Sequence, residues 1–471
     1  MFFLLYSCAR AKGLPNASFY GIISAFTIRF AIVSGANDKK NRKNNEDTHM
    51  QLIDFLKESY TAYHAVKNAE EMLLSEGFVK LSEGGDWYVE EGGKYFVSRG
   101  GSSLIAFTVG ALDGGLSFKI AASHADSPAL KLKDNAIFKT ESYEKLNVEG
   151  YGGGIWYSFF DRPLKIAGRI AAEENGKIRA KTVTSDYFVT IPSVAVHQNR
   201  GVNDGFQINA QTDLCPLYSL AEQGGDLLSS LSPSPVLSYD LFLVNGQDPY
   251  VFGRNGEFLA SPRIDNLTSV FASLEALCGV CAPDGICVAA VFDNEEVGSR
   301  TLEGAGGDFL ERTLRRLTFA LKFDDDEYYK ALHSSFLLSV DNAHALHPNH
   351  PEKCDPTNRP VAGGGVVIKY HADKAYTTDA LSAAAVLSVF ENADVPCQKF
   401  YNRSDVRSGS TLGSISLSKV SVLSADIGIA QFAMHSACES FALRDYSAMT
   451  LGLKAFFASS FSMDDDGIVI E

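Results

Sequence analysis

The segment ICVAAVF, residues 286 to 292, is apolar at seven successive positions. A strand with one face in water alternates apolar and polar residues. A strand without alternation is covered on both faces, which in a chain of this kind means a parallel sheet between layers of helix. The surrounding pattern agrees. LIAFTVG and LSFKIAASH read as strands upstream, and LTSVFASLEALCG as a helix just before ICVAAVF. Downstream come a helix at GDFLERTLRRLTFALK, a strand at SFLLSV, GGGVVIKY, a helix at TDALSAAAVLSVFENA, a strand at VSVLSADIG and a closing amphipathic helix. Alternation of this sort predicts an α/β fold with a mainly parallel central sheet flanked by helices.

At 471 residues the chain has room for one large α/β domain and a smaller second one. Between about residues 137 and 250 the texture changes to short β-rich pieces such as RPLKIAGRI and DYFVTIPSVAV, with a Ser/Pro-rich loop at LLSSLSPSPVLSYD. We therefore expect residues 50–136 and 251–471 to form the main domain and residues 137–250 to be a β-rich insertion.

A net charge of −15 argues against a nucleic-acid partner, because backbone binding needs a basic surface. The eight cysteines are scattered and suit a reducing, cytoplasmic compartment. Cys278 and Cys281 lack the second pair that a zinc knuckle requires, so a buried helix end is expected there. Residues 1–49 look foreign to the rest. SFYGIISAFTIRFAIVSGA approaches the length of a bilayer span, but Arg29 near its middle costs about 2.5 kcal/mol or more. Met50 opens a clean amphipathic helix, MQLIDFLKESYTAYHAVKNAEEMLLSEGF. The expectation is that 1–49 is a leader, disordered or absent from the mature protein, and that no membrane is involved.

Ligands of open α/β sheets bind at the carboxyl ends of the strands. Three predicted strands end in residues that bind metals: KIAASHAD at His124 and Asp126, VAAVFDNEE at Glu295 and Glu296, and FLLSVDNAH at Asp341 and His344. Asp265 enters a helix in SPRIDNL, and His435 lies in AQFAMHSACES before the last helix. Histidines and carboxylates in this number suit a pair of divalent metals, with one carboxylate able to bridge them. Like charges then gather at Asp293, Glu295 and Glu296 because the charge they face is positive. In the glutamate doublet one residue can bind a metal while its neighbour acts as general base. Asp126, two residues from His124, can accept the imidazole's second N–H. GYGGGIW is not a phosphate loop, since no Gly-Lys-Ser/Thr follows it.

SHADSPALKLK, VEGYGGGIWYSFFDRPLKIAGRI, IPSVAVHQN, SPRIDNL, FDNEEVGS, DNAHALHPNH, GGGVVIKY, NRSDVRSGSTLG and AMHSACES occur in order, and together they resemble the aspartyl aminopeptidase family of dinuclear zinc exopeptidases. The resemblance runs from about Met50 to the C-terminus. It implies two divalent ions per subunit, zinc with cobalt and manganese as alternatives. His124 and Asp341 would bind one ion, Glu296 and His435 the other, with Asp265 bridging and Glu295 as general base. It also implies that the insertion is a dimerisation domain and the assembly a homo-oligomer, a dodecamer built from dimers, in which His197 stabilises an oxyanion in a neighbouring subunit. Lys369, Arg403 and Arg407 become candidates to bind an acidic N-terminal side chain of a peptide substrate, and His344 and His347 would lie nearby. The expected function is a metal-dependent aminopeptidase preferring Asp or Glu. The alternatives are the same chemistry with a neutral or apolar preference, a metal-free glycosidase using a carboxylate pair, and a non-catalytic self-assembling scaffold.

Overall fold

The computed structural model describes residues 48–470 apart from 281, 282, 408 and 465. The expected leader up to residue 47, with its apolar stretch, and Cys281 therefore lie outside the described residues. No helix among the described residues is long and apolar enough to cross a membrane. The architecture below belongs to the unit Ile53–Glu471.

The first strands are β1 (Val79–Leu81), β2 (Lys94–Arg99), β3 (Ser103–Val109) and β4 (Phe118–His124). Six more follow: β5 (Ala129–Thr140), β6 (Tyr143–Tyr151), β7 (Leu164–Glu174), β8 (Lys177–Thr184), β9 (Leu217–Leu220) and β10 (Val236–Asn245). The remainder are β11 (Tyr250–Phe252), β12 (Phe258–Ser261), β13 (Ile286–Phe292), β14 (Phe336–Val340), β15 (Ala343–His344), β16 (Val366–Lys369), β17 (Cys397–Phe400), β18 (Leu423–Gly428), β19 (Ala430–Phe432) and β20 (Glu439–Ala442). The main helices are α1 (Ala62–Ser75), α2 (Ile264–Gly279), α3 (Phe309–Ala320), α4 (Asp325–His333), α5 (Ala380–Asn392) and α6 (Leu443–Ala458).

The central sheet runs β1-β2-β3-β13-β4-β14-β18-β16-β17. Its middle, β13-β4-β14-β18, is parallel throughout, with antiparallel joins at β2–β3, β3–β13 and β18–β16. All seven residues of β13 are buried, as the lack of alternation requires, and so are all seven of β4 and all five of β14. Each fully buried Val, Ile, Leu or Phe there contributes about 1.5–3 kcal/mol of burial free energy. α3 shows the complementary pattern, burying Phe309, Leu310, Thr313, Leu314 and Leu317 at helical spacing.

The register of the parallel strands puts Phe292 opposite His124, so β4 and β13 end side by side. A second sheet, β11-β12-β20-β19-β15, places Ser261 opposite Glu439 next to that edge. The insertion forms a third, wholly antiparallel sheet in the order β8-β7-β10-β5-β6-β9, with a core that includes Leu146, Ile166, Leu241 and Leu243. It opens at Ala129 and closes at Asn245, where the sequence pattern suggested 137 and 250. The single helix read from Met50 is two, one ending at residue 58 and α1 starting at Ala62. Between them Thr61 is extended, at φ −143°, a backbone that its β-branched side chain favours.

Candidate metal centre

Five segments deliver the site. β4 ends on His124; the turn after β13 carries Glu295 and Glu296; Asp341 follows β14; Asp265 lies at the start of α2; and His435 sits in the connection between β19 and β20. Their donor atoms form two groups, His124 with Asp265 and Asp341, and Asp265 with Glu296 and His435, each within 4.8 Å. His124 Nε2 is 3.6 Å from Asp265 Oδ1 and 3.7 Å from Asp341 Oδ1. His435 Nε2 is 3.6 Å from Asp265 Oδ2 and 3.4 Å from Glu296 Oε2. Asp265 thus turns one oxygen toward each group. These separations are long for hydrogen bonds. They approach the edge of about 3.3 Å between donors of a tetrahedral ion with bonds of about 2.05 Å.

Two further observations fit divalent ions. Asp265 Oδ1 and Glu296 Oε1 are buried with no hydrogen-bond partner, a costly condition that a cation relieves. The outer ring nitrogens are engaged elsewhere, His124 Nδ1 with Asp126 O at 3.1 Å and His435 Nδ1 with Gly153 O at 3.0 Å. Donating Nδ1–H outward leaves each Nε2 lone pair facing the centre. With only protons to balance the charge, burial and neighbouring acids distort the titrations. Burial lowers the affinity of His124 for a proton, but Asp126 and Asp341 override it and raise its pKa well above the ordinary value. His435 is likewise raised to about 10, against burial, by Asp265 and Glu296. Burial first, then Asp341, Asp126 and Asp265, push Glu295 up to about 8, with His124 opposing.

A ring of polar groups holds the donors. The Asp126 carboxylate accepts the amide of Glu295 on Oδ1 and the amide of Glu296 on Oδ2, both at 3.1 Å, and the Tyr151 hydroxyl at 2.7 Å on Oδ2; His124 Nδ1 is 3.3 Å from Oδ1. Glu439 Oε2 accepts the Asp265 amide at 2.9 Å and Oε1 the His435 amide at 2.7 Å. The glycine run of GYGGGIW presses against the donors. A Cβ on Gly152, which has φ +71°, would lie 3.1 Å from Glu296 Cβ, and Gly153 supplies the carbonyl to His435. Sequence reasoning found Asp126 but missed Glu439, Tyr151 and Gly153. The position of Glu439 four residues after His435 was the available signal for it.

The other candidates divide. Glu295 belongs to neither donor group but lies close enough to feel the charges of His124, Asp341 and Asp265. His344, His347, Arg403 and Arg407, with Tyr401 and Phe432, line a cleft of about 400 Å³. Arg403 is tied to Asp405 at 2.9 and 2.7 Å. Lys369 is only 2% exposed and is absent from that lining. Its ammonium lies 3.6 Å from Asp341 Oδ2 and donates to Asn342 O at 3.3 Å, which places it behind a candidate metal donor. His197 is exposed on the insertion and joins neither group.

The family model described as "Aminopeptidase I zinc metalloprotease (M18)" matches residues 55–457. The chain belongs to the M18 peptidase family. This M18 peptidase is 38% identical over 423 residues to "Probable M18 family aminopeptidase 2" of Clostridium novyi, covering 86% of this chain and 96% of that one. Among solved structures, one described as an Ape4 and Nbr1 complex aligns with a TM-score of 0.84 at 32% identity, over 88% of this chain and 86% of the other. The S. cerevisiae mApe1 dodecamer aligns at 0.74 and 27% identity, over 88% and 97%. The M18 peptidase is therefore a zinc metalloaminopeptidase, a hydrolase of peptide bonds with an α/β fold.

Proposed function

We propose that the M18 peptidase works with two divalent ions per subunit and releases single N-terminal residues from peptides, preferring Asp or Glu. The observation that carries the two-ion reading is Asp265, which offers one oxygen to each donor group. Charge supports it. Asp126, Asp265, Glu295, Glu296, Asp341 and Glu439 set six carboxylates around the centre, and among the described residues the Lys369 ammonium is the one buried beside them. Two dications and that lysine bring five positive charges, whereas a single dication leaves a large excess of buried negative charge.

Bound ions would polarise a scissile carbonyl and make an attacking water more acidic. The residues do the rest. Glu295 takes the water's proton and passes it to the leaving amine, while the bond from its own amide to Asp126 keeps the turn in place. His124 and His435 keep their Nε2 atoms inward through Asp126 and Gly153.

Acidic preference needs a cation within reach of the first side chain. Lys369 would have to be shared with Asp341, while Arg403 already serves Asp405. Arg407, exposed in the cleft, is the less encumbered candidate. We further propose a cytoplasmic homo-oligomer, a dodecamer built from dimers formed through the inserted sheet, with His197 acting on a neighbouring subunit. The described free thiols Cys215, Cys278, Cys287, Cys354, Cys397 and Cys438 and the likeness to the mApe1 dodecamer support that reading.

The test is hydrolysis of matched peptides with N-terminal Asp, Glu, Leu and Ala, before and after chelation and after zinc, cobalt or manganese is restored. Loss and metal-dependent recovery with Asp and Glu fastest is the expected result. Leu fastest would refute the acidic preference, and a fully active preparation holding one ion per chain would refute the two-ion mechanism. Arg407→Ala and Lys369→Met, assayed on Asp against Leu peptides, separate the two cations by which one erases the discrimination.

A further inference from the structure

We infer that Glu439 is a positioning residue for one of the two ions: its carboxylate fixes Asp265 relative to His435 and so sets the affinity of the ion between Glu296 and His435. The inference rests on the two-ion reading above. Glu439 is the first residue of β20, lies opposite Ser261 of β12, and is 2% exposed. Its two oxygens bind the backbones of two donors that are distant in sequence. Oε2 accepts the Asp265 N–H at 2.9 Å, and Oε1 accepts the His435 N–H at 2.7 Å and Gln431 Nε2 at 3.2 Å. One rigid carboxylate thereby spans the two segments that must approach the same ion.

The backbone at His435 makes this brace necessary. His435 has φ +68°, in the left-handed region that side chains rarely adopt, and persists there only if its surroundings hold it. The charge-assisted bond to Glu439 is one such restraint, and the bond from Ile155 N to His435 O at 2.9 Å is another. A further buried negative charge beside Asp265 is a poor choice for stability alone, because neighbouring carboxylates repel. It is a good choice for holding two N–H donors at once, since a glutamine in its place would turn an –NH₂ toward one of them.

The arrangement is lopsided. Asp126 braces His124 and the Glu295–Glu296 turn, whereas the bonds of Glu439 go to Asp265, His435 and Gln431 and to neither His124 nor Asp341. Loss of Glu439 should therefore weaken one ion more than the other.

The experiment is a Co²⁺ titration of the metal-free full-length protein, followed by visible absorption and by metal analysis after gel filtration. Wild type should take up two equivalents. Glu439→Gln should keep one at wild-type affinity and bind the second about 10–100-fold more weakly. Glu296→Gln should weaken the same equivalent, and the double variant should lose little beyond the worse single one. Two equivalents at wild-type affinity in Glu439→Gln, or both weakened alike, would overturn the inference while leaving the two-ion reading intact. A wild type that takes up one equivalent would overturn both. If Glu439→Gln does not fold, Gln431→Met removes the donor that orients Glu439 Oε1, along with the Gln431 oxygen that accepts from Asn342 Nδ2 at 2.7 Å, and the same equivalent should weaken by a smaller factor. No change in that variant would count against the role.

Discussion

Replacing Asp126 by Asn changes one oxygen to an –NH₂ and little else in shape. Its consequences are large because both oxygens are committed, Oδ1 to the Glu295 amide and His124 Nδ1, Oδ2 to the Glu296 amide and the Tyr151 hydroxyl. Whichever oxygen survives, the new –NH₂ faces a backbone N–H about 3 Å away, a donor against a donor. Two bonds to a charged acceptor are lost, each worth about 1.5–3 kcal/mol, so the turn carrying the glutamates is destabilised by about 3–6 kcal/mol. Part of this is returned because removing a buried charge relieves Glu295 and Asp293, whose pKa values Asp126 helps to raise. The part that reaches the metal centre should appear as a 10–100-fold loss of zinc affinity and a matching fall in turnover at limiting zinc. The assay is competition for zinc with a chromophoric chelator, with turnover measured on the same samples. Tyr151→Phe is the internal standard. It deletes the 2.7 Å bond to Asp126 and the 2.9 Å bond from Asn294 Nδ2 but leaves both amides held, so its loss should be only a few-fold. Asp126→Asn within twofold of wild type, or a larger defect in Tyr151→Phe, would refute the claim that this carboxylate holds the turn.

Two other outcomes are expected. Glu295→Gln should lower kcat by about 10²–10⁴ with unchanged metal content, and full activity would remove Glu295 as the base. His64 titrates far below its ordinary range, at about 3, because burial penalises its charged form and Arg263 and Lys67 repel it. The unfolded chain then binds more protons than the fold between about pH 6.5 and pH 3. Its stability contribution is complete above that window and is lost as pH falls through it, by up to about 1.4 kcal/mol per pH unit. His64→Gln, which can still bond Thr61 and Thr184, should flatten the acid limb of urea midpoints against pH; an unchanged limb would exclude His64 as its source.

The sequence was most legible where periodicity is strong. ICVAAVF, FLLSV and KIAASH have runs long enough to declare buried strands, and the polar residue that ends each run marks the sheet edge. The second sheet left no comparable trace, since β15 has two residues and β11 and β19 three each, too few to establish an alternation. For that reason His435 was found as a lone histidine after a strand, and its link to Asp265 through Glu439 was not. The first strand of the inserted sheet begins only five residues after His124, across Asp126-Ser127-Pro128, ahead of the change of texture that the sequence shows at about residue 137. Lys369 shows another limit. A lysine ending a strand looks the same in sequence whether or not a buried aspartate lies beside its charge, as Asp341 does here.

The inserted sheet leaves the main domain just after His124 and returns at Asn245, shortly before Asp265. The side chain of Asn245 bonds Ala437 O at 2.8 Å in the His435 connection, Arg263 Nη1 bonds Asn245 O at 3.1 Å, and Gly153 touches His435 directly. The insertion is thus fastened to the reaction centre at its exit, at its return and along one edge. Its joints lie within a few bonds of the donors. Under the proposed assembly through this sheet, selection on how subunits fit together and selection on catalysis act on the same short joints, so exchanging the insertion for another module would require retuning the metal centre.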